Sequence, residues 1–184
     1  MTPADYMNEI VVATLRDFRD DRRSRRQAYL ACIAVFHLKD HLKKVGVQSV
    51  ENRMRGTCGI AFDVVRGVCN GTKHVETSAK HVVAFRVGDD TDRPPGVWDE
   101  AVWDVSRFDD ADGGREVQHG VERHDVYECA KAVAAPLLER VPPKRVGLNL
   151  IFANIPSGRR LQALGPEKGG TRRPLMLAGG VRRV

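Results

Sequence analysis

The stretch "SRRQAYLACIAVFHLKDHLKKVG", Ser24 to Gly46, decides the fold. Within it Tyr29, Cys32, Ile33, Val35, Phe36, Leu38 and Leu42 recur at three- and four-residue intervals and cover more than half the circumference of a helix. That pattern predicts a helix from about Ser24 to Lys44, the most buried of the molecule. Lys43 and Lys44 suit the negative end of its dipole, and Gly46 can close it. A helix apolar on so many sides needs several neighbours.

Two of those neighbours are legible on either side. Pro3 to Asp20 reads as one helix, with Pro3 in the first turn behind Thr2 and a stripe of Ile10, Val11, Leu15 and Phe18. A third helix starts near Ser49, carries Val50, Met54, Thr57, Cys58, Ala61, Val65, Val68 and Cys69 on one stripe, and is expected to end at or before Gly71. Short links predict antiparallel neighbours.

After His74 the period changes to β-branched and aromatic residues. "VWDVSRF", Val102 to Phe108, and Arg115 to Val121 are expected to pair as a hairpin around Gly113 and Gly114. The segment Asp89 to Asp112 holds nine acids against Arg93 and Arg107 and reads as a solvated acidic loop. Trp98 and Trp103 flank it, and packing of the hairpin on the bundle accounts for them. A last helix begins at Asp125-Val126-Tyr127-Glu128, a capping box, and buries Val126, Cys129, Val133, Leu137 and Val141. Pro136 should kink it and Pro142-Pro143 end it. No internal repeat is read. The fold class is therefore mainly α, an antiparallel helical bundle of about four main helices. It spans residues 1–141 with a β-hairpin insertion at about 81–123, and residues 142–184 form a basic, flexible extension.

The net charge of +6 belongs to that extension: residues 142–184 carry nine Lys and Arg against Glu167, so they sum to +8 and the remainder to −2. Cys32, Cys58, Cys69 and Cys129 lie apart within apolar patterns, which points to reduced core thiols and to neither a zinc knuckle nor a disulfide framework. The opening "MTPADYMNEIVV" has neither the basic nor the apolar region of a signal peptide, and no apolar run reaches the roughly 18 residues of a membrane span. A cytoplasmic protein with no membrane contact is expected. Dinucleotide, nucleoside-triphosphate and common hydrolase motifs are absent from the sequence.

The chemistry concentrates in "RGVCNGTKH", Arg66 to His74. A guanidinium can hold a phosphate bidentately and stabilise charge developing on it, while an imidazole can exchange protons with a ribose 2′-OH or a leaving oxygen. Arg66, Asn70 and His74 fall at i, i+4 and i+8, on one face if the helix persists, although Gly71 is expected to interrupt it. In the purely structural alternative Arg66 pairs with Asp63, Asn70 caps the helix, and Lys73 and His74 meet its free carbonyls. His37 and His41, one turn apart in "FHLKDHL", are a minor metal-binding candidate without the acid of an HExxH motif. Antiparallel packing would place them away from His74. "RDFRDDRRSRR", Arg16 to Arg26, reads as a solvated junction laced with ion pairs.

The stretch "AFDVVRGVCNGTKH" at the end of the third helix resembles the signature region of HEPN-type domains, helical bundles of prokaryotic toxin, defence and nucleotide-related proteins. The resemblance implies a metal-independent endoribonuclease that needs no cofactor, with Arg66 and His74 catalytic and Asn70 and Lys73 assisting substrate binding. It also implies RNA as substrate, a homodimer that completes the site, and an antitoxin or other protein partner. Arg66 and His74 are separated by seven residues, more than is usual in that family, and Gly67 stands where a polar residue is customary. The competing expectation is a non-catalytic bundle that serves as an interaction or regulatory module.

Overall fold

The computed structural model describes residues 1–74 and 85–141, with the backbone alone for His74. The basic extension, residues 142–184, lies outside the described residues. So does most of "HVVAFRV", of which Phe85 onward is described.

The architecture is a helical bundle with a small antiparallel sheet. Helices α1 (Pro3–Tyr6) and α2 (Ala13–Asp20) are joined without a break by a π-helical segment, Met7–Val12. They are followed by α3 (Arg25–Lys44), α4 (Val50–Cys58), α5 (Ile60–His74), strands β1 (Thr91–Arg93), β2 (Gly114–His119) and β3 (Glu122–Asp125), and α6 (Val126–Leu138). Helix α3 is the centre, as its stripe requires: Cys32, Val35, Leu38 and Leu42 are fully buried and it packs on α2, α5 and α6. Each such side chain contributes about 1.5–3 kcal/mol through its removal from water.

The first helix departs from a regular stripe. Its π turns rotate the apolar face, so that Met7 and Val12 enter the core while Ile10, an expected core residue, stays partly exposed. Thr2 and Asp5 form a reciprocal cap at its start.

The expected third helix is two helices. Gly59 stands at the break with φ 53° and ψ −126°, a conformation open to glycine, and the interruption re-phases the stripe. Phe62 and Val64 are consequently buried, whereas Thr57 faces solvent. Past the break α5 runs through Gly71 to His74, so the expectation that Gly71 ends the helix is wrong. That glycine serves packing instead: a Cβ there would lie 2.5 Å from Phe85 Cδ1 and 2.7 Å from the Phe85 carbonyl oxygen.

The hairpin pairs different segments from those expected. Strand β2 is central, with β1 and β3 antiparallel on either side; the tight turn at Gly120-Val121 joins β2 to β3. Residues 102–108 form turns, not a strand. The acidic segment is also not simply solvated. Asp92 pairs with Arg23 at 2.6 Å, and Asp90, 3% exposed, takes Arg25 at 3.1 Å, Arg115 at 3.3 Å and the Tyr29 hydroxyl at 2.6 Å. The arginine-rich junction between α2 and α3 is the counter-charge of the acidic loop, an arrangement made by residues more than sixty positions apart.

At the centre of this interface Arg93, 2% exposed, contacts Asp110, Glu116 at 2.9 Å and Asp125 at 2.7 Å. Asp125 also caps α6, accepting from the Glu128 backbone N–H at 3.0 Å, and holds Arg22 at 2.8 Å. One carboxylate thereby ties the sheet, the first helical rod and the last helix together. In α6, Pro136 removes the N–H that Ala132 C=O would accept, and the Cys58 thiol approaches that oxygen at 3.5 Å as a weak replacement donor. Val126, Cys129, Val133 and Leu137 are buried, as the stripe predicts, but the helix ends at Leu138, before the expected stop at Pro142-Pro143, and Val141 is buried beyond its end. All four cysteines are free.

Candidate functional site

Because α5 continues through Gly71, helical spacing sets Arg66, Asn70, Lys73 and His74 along one strip of its surface. Arg66 and Lys73, seven residues apart, lie about 10 Å from each other along the axis. The structural alternative for Arg66 fails at its first step. Asp63 is engaged by Arg55, whose Nε and Nη2 both stand 3.3 Å from Asp63 Oδ1. Among the described residues Arg66 forms no ion pair, and its Nε is buried without a hydrogen-bond partner. Nor does a capping bond from Asn70 appear among the described contacts; Thr72, by contrast, donates to the Cys69 carbonyl at 2.8 Å.

The last turn of α5 reaches α3. Lys73 Nζ lies 2.5 Å from His37 Nε2, and His37 Nδ1 lies 2.9 Å from Asp40 Oδ2. This overturns the expectation that His37 would lie far from the end of the helix that bears His74. An ammonium can only donate and a carboxylate can only accept, so the two contacts assign the tautomer: Nδ1 carries the proton and Nε2 is an acceptor lone pair. His37 and Asp40 are 32% and 51% exposed and Lys73 is exposed, so the relay lies open at the surface.

His41 takes a different part. Its ring stacks on Tyr6 with centroids 4.1 Å apart and planes 22° from parallel. Burial pushes the Tyr6 hydroxyl pKa up, with the nearby Cys69 and Asp40 adding to it, so Tyr6 stays protonated at neutral pH. Cys69 is likewise pushed up by burial, which outweighs Lys73 and Lys39. It is held as a thiol and is no nucleophile.

The minor metal reading of His37 and His41 finds no support in this geometry. Both nitrogens of His37 are occupied, and no group of three or more His, Cys, Asp or Glu among the described residues could hold an ion.

The sequence offered this end of the helix as a candidate site without Asp40 in it, and it set His37 apart from the His74 end. The spacing of His37 and Asp40 at i, i+3 was the one available signal. What the arrangement can do is bind an anion along the Arg66–Lys73 strip and, when an arriving anion draws Lys73 away, expose the Nε2 lone pair of an imidazole already oriented by a carboxylate. Compared with known protein families, curated proteins and solved structures, the chain shows no match in any of the three.

Proposed function

We propose that the protein binds and cleaves RNA without a metal, using the strip from Arg66 to His74 together with His37. The observation that carries this reading is the Lys73–His37–Asp40 chain beside an arginine that has no acidic partner among the described residues. Arg66 and Lys73 take the phosphate, Arg66 stabilising the charge that develops on its oxygens. His37 Nε2 accepts the proton of the ribose 2′-OH, whose oxygen attacks phosphorus. The bond from phosphorus to the 5′-oxygen breaks, and a proton from a second acid, assigned to His74, goes to that oxygen. The products are a 2′,3′-cyclic phosphate and a 5′-hydroxyl. Asp40 steadies the imidazolium that forms, and Asn70 orients the substrate between the two cations. An open surface strip suits a polymer laid across it better than a small molecule, which is usually enclosed in a pocket. The HEPN-type resemblance points the same way, and a dimer that completes the site belongs to the same proposal.

The test is incubation of the purified chain with single-stranded RNA in EDTA, beside RNA carrying a 2′-deoxy nucleotide at the cleaved position. Cleavage is expected to leave a cyclic phosphate, to vanish at the deoxy position, and to fall by about 10²-fold or more in Arg66→Ala and His37→Gln variants of unchanged fold. Cleavage that survives both substitutions would overturn the proposal. Binding of RNA with no cleavage at all would reduce the protein to the non-catalytic module.

A further inference from the structure

Trp98 and Trp103 do not pack on the bundle. They are 93% and 85% exposed, and with them Phe108 is 83% and Val102 48% exposed. Aromatic side chains of this size are ordinarily the largest contributors to burial, and a contiguous exposed group of them marks a surface that is covered by something else.

The way they are displayed is systematic. "VWDEA", Val97 to Ala101, and "VWDVS", Val102 to Ser106, are consecutive five-residue turns of repeated sequence. In the first, the N–H groups of Glu100 and Ala101 donate to the Val97 carbonyl at 3.2 and 3.0 Å. In the second, those of Val105 and Ser106 donate to the Val102 carbonyl at 3.1 and 2.9 Å. The aspartate in third place takes positive φ in both, 73° at Asp99 and 61° at Asp104, a conformation that aspartate tolerates better than most residues. Each turn thus holds its tryptophan in the same position, outward. Phe108 meets Trp103 edge-on with ring centroids 6.3 Å apart.

The platform is firmly mounted. Gly96 N–H donates to the Asp110 carbonyl at 2.7 Å, and Arg107 pairs with Glu116 at 2.9 Å, next to the buried Arg93. An aromatic surface presented in advance loses little entropy on binding.

Charge decides the occupant. Asp99 and Asp104 share one hollow with Trp98, Trp103 and Phe108 and form no ion pair among the described residues. Asp90, Asp92 and Asp110 of the same segment, by contrast, are taken up by arginines. Unpaired carboxylates repel both the phosphates of RNA and an anionic lipid surface, and they attract Lys and Arg. We infer that the twin turns, Val97 to Ser106 together with Phe108, are a docking surface for a partner protein segment that presents aliphatic anchors flanked by basic residues. The anchors enter between the tryptophans and the basic side chains meet Asp99 and Asp104.

The two tryptophans of the chain both lie in this surface, so tryptophan emission, excited at the long-wavelength edge where the tyrosines do not absorb, reports on it alone. The full chain is titrated at low salt with a synthetic helical peptide of leucine, lysine and alanine, and with the same peptide carrying glutamate for lysine. A blue shift of the emission is expected with the lysine peptide only. Asp99→Asn combined with Asp104→Asn retains a residue suited to positive φ while removing the charge, and should weaken binding by roughly tenfold. The idea is overturned if the two peptides bind equally or if the double variant binds as well as the parent. Three further outcomes also overturn it: a shift with protein concentration alone, which means a second copy; a shift with single-stranded RNA; and emission already blue in dilute solution, which means the chain covers the surface itself.

Discussion

Arg93→Met is the substitution whose cost can be worked most directly from the structure. Arg93 is 2% exposed and faces three carboxylates, Asp110, Glu116 and Asp125, whose side chains are 16%, 3% and 7% exposed. Two other cations share the load, since Arg22 holds Asp125 at 2.8 Å and Arg107 holds Glu116 at 2.9 Å. Methionine fills much of the volume but leaves three carboxylates against two arginines, with Asp110 deprived of its partner. An uncompensated charge in such a place costs about 3–5 kcal/mol. The sign with pH follows from Asp110. Burial by itself would raise its pKa; the hydrogen bond and charge of Arg93 outweigh that and hold the folded value below the ordinary one. That stabilisation is fully present above the unfolded value of about 4 and is lost as pH falls through the folded one. The variant lacks it and keeps the burial penalty. Urea unfolding of both proteins at neutral pH should therefore show the full deficit, and the deficit should shrink as the pH approaches about 4. A loss under about 1 kcal/mol at neutral pH, or one that does not change with pH, would refute the account of this cluster as a buried counter-charge.

Gly71→Ala should destabilise by about 1–3 kcal/mol, because the added Cβ meets both the ring and the backbone carbonyl of Phe85; thermal unfolding measures it, and an unchanged midpoint would mean that Phe85 gives way freely. Tyr29→Phe removes the hydrogen bond to Asp90 at 2.6 Å and the acceptor for the Gly88 N–H at 3.0 Å, for a loss of about 1–3 kcal/mol in denaturant unfolding. Burial and the Asp90 bond push the Tyr29 pKa up to about 12, so the parent should lose stability as pH rises from about 10 toward 12, and Tyr29→Phe should lose less over that window. Toward a thiol reagent, half-buried Cys58 should react first but slowly, since burial pushes its pKa up to about 11, while buried Cys32 and Cys129 should stay protected until unfolding; rapid labelling of Cys32 in the native protein would contradict its burial.

The sequence by itself determined the helical class, the central place of Ser24 to Lys44, and the cap and stripe of the last helix. These are consequences of periodicity and of local hydrogen bonding, which act over a few residues. It also offered Arg66 to His74 as a candidate site, because those residue types are costly to bury. Where a single local signal had two meanings, the sequence misled. Gly71 read as a helix end and proved to be a packing contact with Phe85, whereas Gly59, with nothing near it, was the break. The β-branched run Val102 to Phe108 read as a strand, but Asp104 at positive φ turns it.

Only the tertiary structure decided which charges meet. That Arg23 and Arg25 answer the acidic loop, that Arg22 holds Asp125, that Arg55 takes Asp63 from Arg66, and that Lys73 finds His37 depends on pairs up to about a hundred residues apart. Coulomb attraction carries no sequence period and selects its partner by distance in space, so such pairings leave no trace in the chain until its helices are packed.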